Sequence, residues 1–221
     1  ISGWERTNGV NGATSTSSLS NVVSMGQMFQ GTTFNGNIGN WNVSSVTILA
    51  MMFYGATAFN SDISNWVVSA VTDMNNMFNG ATAFNIDISG WERTNGVNGA
   101  TSTSSLSEIT DMNNMFNGAT AFNSDISNWV VSAVTDMNNM FNGATAFNID
   151  ISGWERTNGV NGATSTSSLS NVKYMSNMFY GATAFNSDIS SWDVSSATTM
   201  SGMFGGATAF NSDISNWERT N

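Results

Sequence analysis

Six aspartates, Asp62, Asp87, Asp125, Asp150, Asp188 and Asp213, recur inside one repeated phrase, "FNxDIxxW", and Asn37 holds the equivalent first position. Hard carboxylate oxygens suit Ca2+. If the repeats stack in register, these groups stand ~5 Å apart and form a row of weak cation sites. Like charges at that spacing oppose one another, so the competing reading is that each carboxylate accepts backbone amide bonds at a turn or faces screening water. No DxDxDG loop is present. The cation reading therefore lacks its usual scaffold.

Two further rows share the phrase. Thr57, Thr82, Thr120, Thr145, Thr183 and Thr208 each lie between two alanines in "GATAF". Flat ranks of threonine are the pattern of an ice-binding face, although any tandem repeat generates regular ranks and these residues also suit solvent-facing turns. Asn35, Asn60, Asn85, Asn123, Asn148, Asn186 and Asn211 follow the phenylalanine. Stacked amides can bond to one another and to turn backbone, a structural ladder that satisfies polar groups the fold buries.

Other chemistry is scarce. Cysteine and histidine are absent and Lys173 is the only lysine, which removes thiol nucleophiles, imidazole ligands and most general bases. Periodic carboxylates would have to carry any catalysis alone, so an enzyme is not expected. The net charge of −10 and pI of 4.1 repel phosphate backbones, and nucleic acid is excluded as a partner. No apolar run in the sequence approaches the ~20 residues needed to span a bilayer.

The phrases are set out by tryptophan, at Trp4, Trp41, Trp66, Trp91, Trp129, Trp154, Trp192 and Trp217. A unit of 25 residues is sometimes lengthened by 13, always after Trp, by "ERTNGVNGATSTSSLS" beginning at Glu5, Glu92 and Glu155. Residues 55–107 are identical to residues 118–170. Periods of ~20–50 residues mark arrays in which each unit buries its apolar face only against its neighbours.

Within a unit, Met74, Met77 and Phe78 fall at i, i+3 and i+4, which predicts one or two helical turns, α or 3-10, entered at Thr72 or Asp73 and stopped by a left-handed Gly80. "AFNIDISGW" predicts a short strand with Ile88 inward, and one strand per unit predicts a parallel ladder. Methionine and tryptophan are expected in the core, where thioethers fill gaps between stacked rings. Leu106 and Ile109 align with Val68 and Val71, leaving the inserted residues to protrude as loops rich in Asn-Gly turns. Glu92 and Arg93 are expected to form a solvated pair.

The phrase "VTDMNNMFNGATAFNIDISGW" closely resembles the 25- or 26-residue repeat of BspA-like bacterial surface proteins, which is related to leucine-rich repeats. The resemblance covers nearly all the chain outside the insertions. It implies a right-handed solenoid on secreted or envelope-anchored proteins, with roles in adhesion and surface structure and no catalytic residues to carry over. Val67 and Val130 depart from the acidic residue that family favours after Trp, which Asp193 retains.

Together these readings predict an α/β repeat fold: a right-handed solenoid related to leucine-rich repeats, with one short parallel strand and one short helical turn per 25-residue coil. Residues 1–221 form a single array of about seven coils, with inserted loops at 5–18, 92–105 and 155–168. The expected role is structural or adhesive at a bacterial cell surface, outside the cell, with this chain either a part of a longer array or a unit of a head-to-tail filament. Expected partners are other copies, joined head to tail into a filament or laterally through the loops, and host or neighbouring cells. Ice, glycan or Ca2+ binding is the alternative.

Overall fold

The computed structural model describes residues 19–92, 106–155 and 169–217. The inserted loops other than Glu92 and Glu155 lie outside these residues, as does Arg93. Parallel bridges run Ser24, Ile48, Asp73, Asp111, Asp136, Tyr174 and Thr199 in succession. Each unit is thus a coil that rests on the one before it.

The ladder falls on the "DMNNMFNG" segment and not on "AFNIDISGW", where the strand was expected. Amides of one coil reach the carbonyls of the next at alternate residues: Met112 to Asp136, Asn114 to Asn138, Phe116 to Met140 and Gly118 to Asn142, at 2.7–3.0 Å. The turn expected here does not wind as an α-helix. Asn114 has φ 54° and Gly118 φ 67°, and two left-handed residues so close together prevent an α-helix from propagating. The intervening residues instead close short i to i+3 turns, as from Met115 N–H to Met112 C=O and from Ala119 N–H to Phe116 C=O. Those turns free every second amide to point along the stack.

Short 3-10 helices occur at Ser89–Trp91, Ser152–Trp154 and Ser215–Trp217, where the chain rounds the tryptophan corner. Ile88, though not in a strand, is fully buried.

The core is a set of aromatic columns. Phe53, Phe78, Phe116, Phe141 and Phe179 stack with centroids 5.6–5.7 Å apart and planes within 6°. A second column, Phe59, Phe84, Phe122, Phe147 and Phe185, repeats at 5.9–6.0 Å. The two columns touch within each coil, as Phe78 and Phe84 do at 3.8 Å. These spacings exceed the ~4.8 Å separation of paired strands because stacked rings sit tilted and offset. Met74, Met77, Met112 and Met115 are completely buried beside them.

Tryptophan ties coil to coil as well as filling space. The indole N–H of Trp66 donates to Ile38 C=O at 3.1 Å, Trp91 to Ile63 at 3.0 Å, and Trp154 to Ile126 at 2.9 Å. A buried donor is thereby paired, and the pairing fixes the register of neighbouring coils.

Candidate functional site

Leu106 and Ile109 occupy the core places of Val68 and Val71, and Ile109 N–H donates to Leu106 C=O as Val71 N–H does to Val68 C=O. Glu92 and Leu106, the described residues on either side of the insertion, are thus both set in the register of the stack. Glu92 itself is only 3% exposed, which corrects its assignment as a solvated charge. Its Oε2 accepts from Val130 N–H in the next coil at 3.4 Å, and its carbonyl accepts from the Asn128 amide at 3.4 Å. A second insertion repeats the device: Glu155 Oε2 accepts from Leu169 N–H at 3.0 Å and Asp193 N–H at 3.3 Å. In each case one carboxylate joins the residue that opens the insertion to the adjoining coil.

The three rows recur from coil to coil. Asp62, Asp87, Asp125, Asp150, Asp188 and Asp213 are all exposed. Each turns Oδ1 back to accept the N–H two residues on, at Ser64, Ser89, Ser127, Ser152, Ser190 and Ser215, at 2.8–2.9 Å. Asn37 closes the same turn by accepting from Gly39 N–H at 3.1 Å. Among the described residues no three acidic side chains converge on a point that would hold a metal ion.

The Ser64 and Ser190 amides and hydroxyls hold the Asp62 and Asp188 carboxyls below their ordinary value. Asp213 is lowered likewise by Ser215, with a smaller opposing push from burial and from the Asp188 charge. A depressed folded-state pKa stabilises the fold above the ordinary value of 3.8, and that contribution disappears as pH falls through the folded value. Asn37 shows that an amide can make the same turn. Asp188→Asn should therefore fold normally, and its melting temperature relative to the unmodified chain should rise as the pH drops below about 4. Thermal melts across that range check it; a difference independent of pH would contradict it.

Asparagine forms a continuous ladder, but an exposed one, and the donor is backbone and not a neighbouring amide. Oδ1 of Asn35, Asn60, Asn85, Asn123, Asn148 and Asn186 accepts from the N–H of the corresponding asparagine in the next coil at 2.7–2.9 Å. The ladder lies at the rim, where it joins coils without burying polar groups.

Threonine follows the same rule. Thr82, Thr120, Thr145, Thr183 and Thr208 donate their hydroxyls to the carbonyl of the preceding Thr57, Thr82, Thr120, Thr145 and Thr183 at 3.3–3.5 Å. All six are exposed. The hydroxyl proton is committed to the neighbouring coil, while the oxygen's acceptor capacity still faces outward.

A further acidic row is half-buried at the bridges. Asp73, Asp111 and Asp136 stack directly on one another. Their Oδ1 atoms accept from the amides of Asn75, Asn113 and Asn138 at 2.8–2.9 Å, and the Asn75 side chain donates to Asp111 Oδ2 at 3.4 Å. The sequence spacing marks Asp73 only as a helix cap. The recurrence of "TDMNN" at these three positions was the available signal.

Repeated coils, columnar aromatic packing and regular exposed polar rows define a tandem-repeat protein. The chain belongs to the family described as "Mycoplasma protein of unknown function, DUF285", whose model matches residues 4–103, 93–165 and 156–221. Comparisons with curated proteins and with solved structures give no match. Among the described residues no helix is long and apolar enough to cross a membrane.

Proposed function

We propose that this chain is a non-enzymatic structural or adhesive protein of a bacterial cell surface, built as a right-handed solenoid related to leucine-rich repeats. The carrying observation is how its side chains are used. Phenylalanine, methionine and tryptophan stack coil on coil. The Asp, Asn and Thr rows repeat from coil to coil, each bonded to backbone. Such a scaffold presents the same surface many times, and weak contacts repeated along it sum to strong attachment. The resemblance to BspA-like surface repeats supports the extracellular placement.

A second reading, a glycan-binding solenoid, is favoured by what the rows leave over. The asparagine ladder uses Oδ1 and the aspartate turns use Oδ1, and both residues are exposed in every coil, so Asn Nδ2 can still donate and Asp Oδ2 can still accept. Hydroxyl-rich chains need both kinds of partner.

Fluorescent beads coated with the purified chain test the two readings. Retention on epithelial or bacterial cells, weakened when fewer repeats are displayed, is the expected result for an adhesin. Binding to arrayed glycans, lost in a variant carrying Asn85→Ala, Asn123→Ala and Asn148→Ala, identifies the second. Beads that bind neither cells nor glycans would overturn adhesion, and turnover of a substrate would overturn the non-enzymatic assignment.

A further inference from the structure

Three coils carry an asparagine directly before the glycine that closes their ladder segment: Asn79-Gly80, Asn117-Gly118 and Asn142-Gly143. Asn-Gly is the pair most prone to spontaneous deamidation, because glycine has no side chain to keep its nitrogen away from the asparagine carboxamide. The fold does not require asparagine at this place. Tyr54-Gly55 and Tyr180-Gly181 fill it in other coils, with the glycine in the same conformation, φ 64° and 67° against 71°, 67° and 68°.

In the stack both reacting groups are held. Gly80 N–H donates to Asn117 C=O, Gly118 N–H to Asn142 C=O and Gly143 N–H to Tyr180 C=O, each at 2.7 Å, the shortest bonds of the ladder. The other end of each peptide unit is tied to the preceding coil, since Asn79, Asn117 and Asn142 C=O accept from Gly55, Gly80 and Gly118 N–H at the same distance. The carboxamides are fixed as well. Asn79 Nδ2 donates to Asn76 Oδ1 at 2.8 Å, Asn117 Nδ2 to Asn114 Oδ1 at 2.9 Å and Asn142 Nδ2 to Asn139 Oδ1 at 3.2 Å. Ring closure requires the glycine nitrogen to give up its proton and turn toward Cγ, which breaks its ladder bond and pulls the peptide plane out of line with both neighbouring coils. Asn35-Gly36 differs: the Gly36 N–H has no acceptor among the described residues, and neither do the N–H groups of Ser61, Ile86 and Ser124 in the same place of later coils.

We propose that Asn79, Asn117 and Asn142 are latent modification sites, kept as asparagine while the coils are stacked and converted to aspartate or isoaspartate when a coil opens. The glycine nitrogen loses its proton and bonds to asparagine Cγ, the Cγ–Nδ2 bond breaks, and ammonia carries that proton away, leaving a five-membered imide. Water then adds across one of the two imide C–N bonds, restoring the N–H and releasing a carboxyl group. One water is consumed and one ammonia is released, with nothing oxidised or reduced. Closing the coil again is opposed in two ways. Isoaspartate lengthens the backbone by a methylene in a segment whose amides must meet the next coil at alternate residues. Aspartate accepts but does not donate, so at position 79 it would set its oxygens against Asn76 Oδ1. A coil that stays open long enough is therefore marked covalently, and its neighbours lose the partner that holds them. This goes beyond the surface role proposed above and does not depend on it.

Peptide mapping by mass spectrometry tests this, with the intact chain held below its melting temperature in mildly alkaline water enriched in heavy oxygen, which labels every site that passes through the imide. Conversion at the three sites should be at least about tenfold slower than in a synthetic peptide of residues 74–84, because only the open fraction reacts. It should also be slower than at Asn35 in the same sample. Phe78→Ala, which loosens the coils around it, should raise the rate at Asn79 and Asn117. A second measurement reads the one-way step. After incubation in denaturant at the same pH, the unmodified chain should recover progressively less of its melting transition as these sites convert. The triple variant Asn79→Tyr/Asn117→Tyr/Asn142→Tyr, which copies Tyr54 and Tyr180, should recover more of it. A parallel triple variant, Asn79→Gln/Asn117→Gln/Asn142→Gln, copies Gln30 and stands in if the tyrosine variant misfolds. Rates in the intact chain equal to those of the peptide or of Asn35, or unchanged by Phe78→Ala, overturn the protection by stacking. Full recovery of a converted chain, or equal loss in the triple variants, overturns the one-way step.

Discussion

Replacing Phe78 by alanine should lower the unfolding free energy by ~3–5 kcal/mol, the range for deleting a buried aromatic ring. Phe78 has no exposed surface and contacts rings on three sides: Phe53 at 5.6 Å before it, Phe116 at 5.7 Å after it and Phe84 at 3.8 Å within its own coil. The loss has two parts, apolar contact and a cavity that the neighbouring coils cannot close. Each coil is held by its neighbours through backbone bonds at alternate residues, so a coil cannot settle into the void without straining the ladder. Coupling along the stack should spread the damage, and amides of the adjoining coils, such as Phe53 and Phe116, should lose protection from hydrogen exchange. Chemical denaturation and exchange together measure this. A variant as stable as the unmodified chain would remove the aromatic column as the source of cohesion.

Much of this core was legible in the sequence because a 25-residue period places like over like. Met74, Met77, Phe78, Ile88 and Trp91 were assigned inward and all are buried. The location of the ladder was not legible. Met74, Met77 and Phe78 are spaced for one face of a helix, but two consecutive i to i+3 turns bring the same residues inward. The choice depends on backbone conformation at Asn76 and Gly80, with φ 56° and 71°. Asparagine enters the left-handed region more readily than other side chains, so the doubled asparagine in "MNNMF" was the signal against a helix.

The surface rows divide along similar lines. Their existence follows from repetition alone, but the bonding of each atom does not. Asp87 shares its phrase with Asn85, yet one folds back onto its own turn and the other reaches into the next coil. Composition also misleads at Glu92, because a glutamate next to an arginine reads as surface. It is buried, and the next coil supplies a backbone N–H, from Val130, to its carboxylate.

That role gives the second large effect. Glu155→Ala should cost ~2–4 kcal/mol, because it leaves the N–H groups of Leu169 and Asp193 without their carboxylate, and an unpaired amide away from water costs about 1–3 kcal/mol. Leu169 is fully buried, so water cannot readily replace the lost acceptor at its amide. The consequence reaches beyond one bond. Leu169 is the first described core residue after the insertion, and Asp193 begins the link in the next coil, so the carboxylate ties three segments at a single point. Glu155→Gln separates acceptor geometry from charge. Its amide oxygen can still take both bonds, so most of the stability should return, less the extra strength of charged acceptors. Exchange rates at Leu169 and Asp193 provide the readout, rising in Glu155→Ala and remaining slow in Glu155→Gln. Equal rates in both variants would mean that the insertion is held in register by the burial of Leu169 alone, with no part played by the carboxylate.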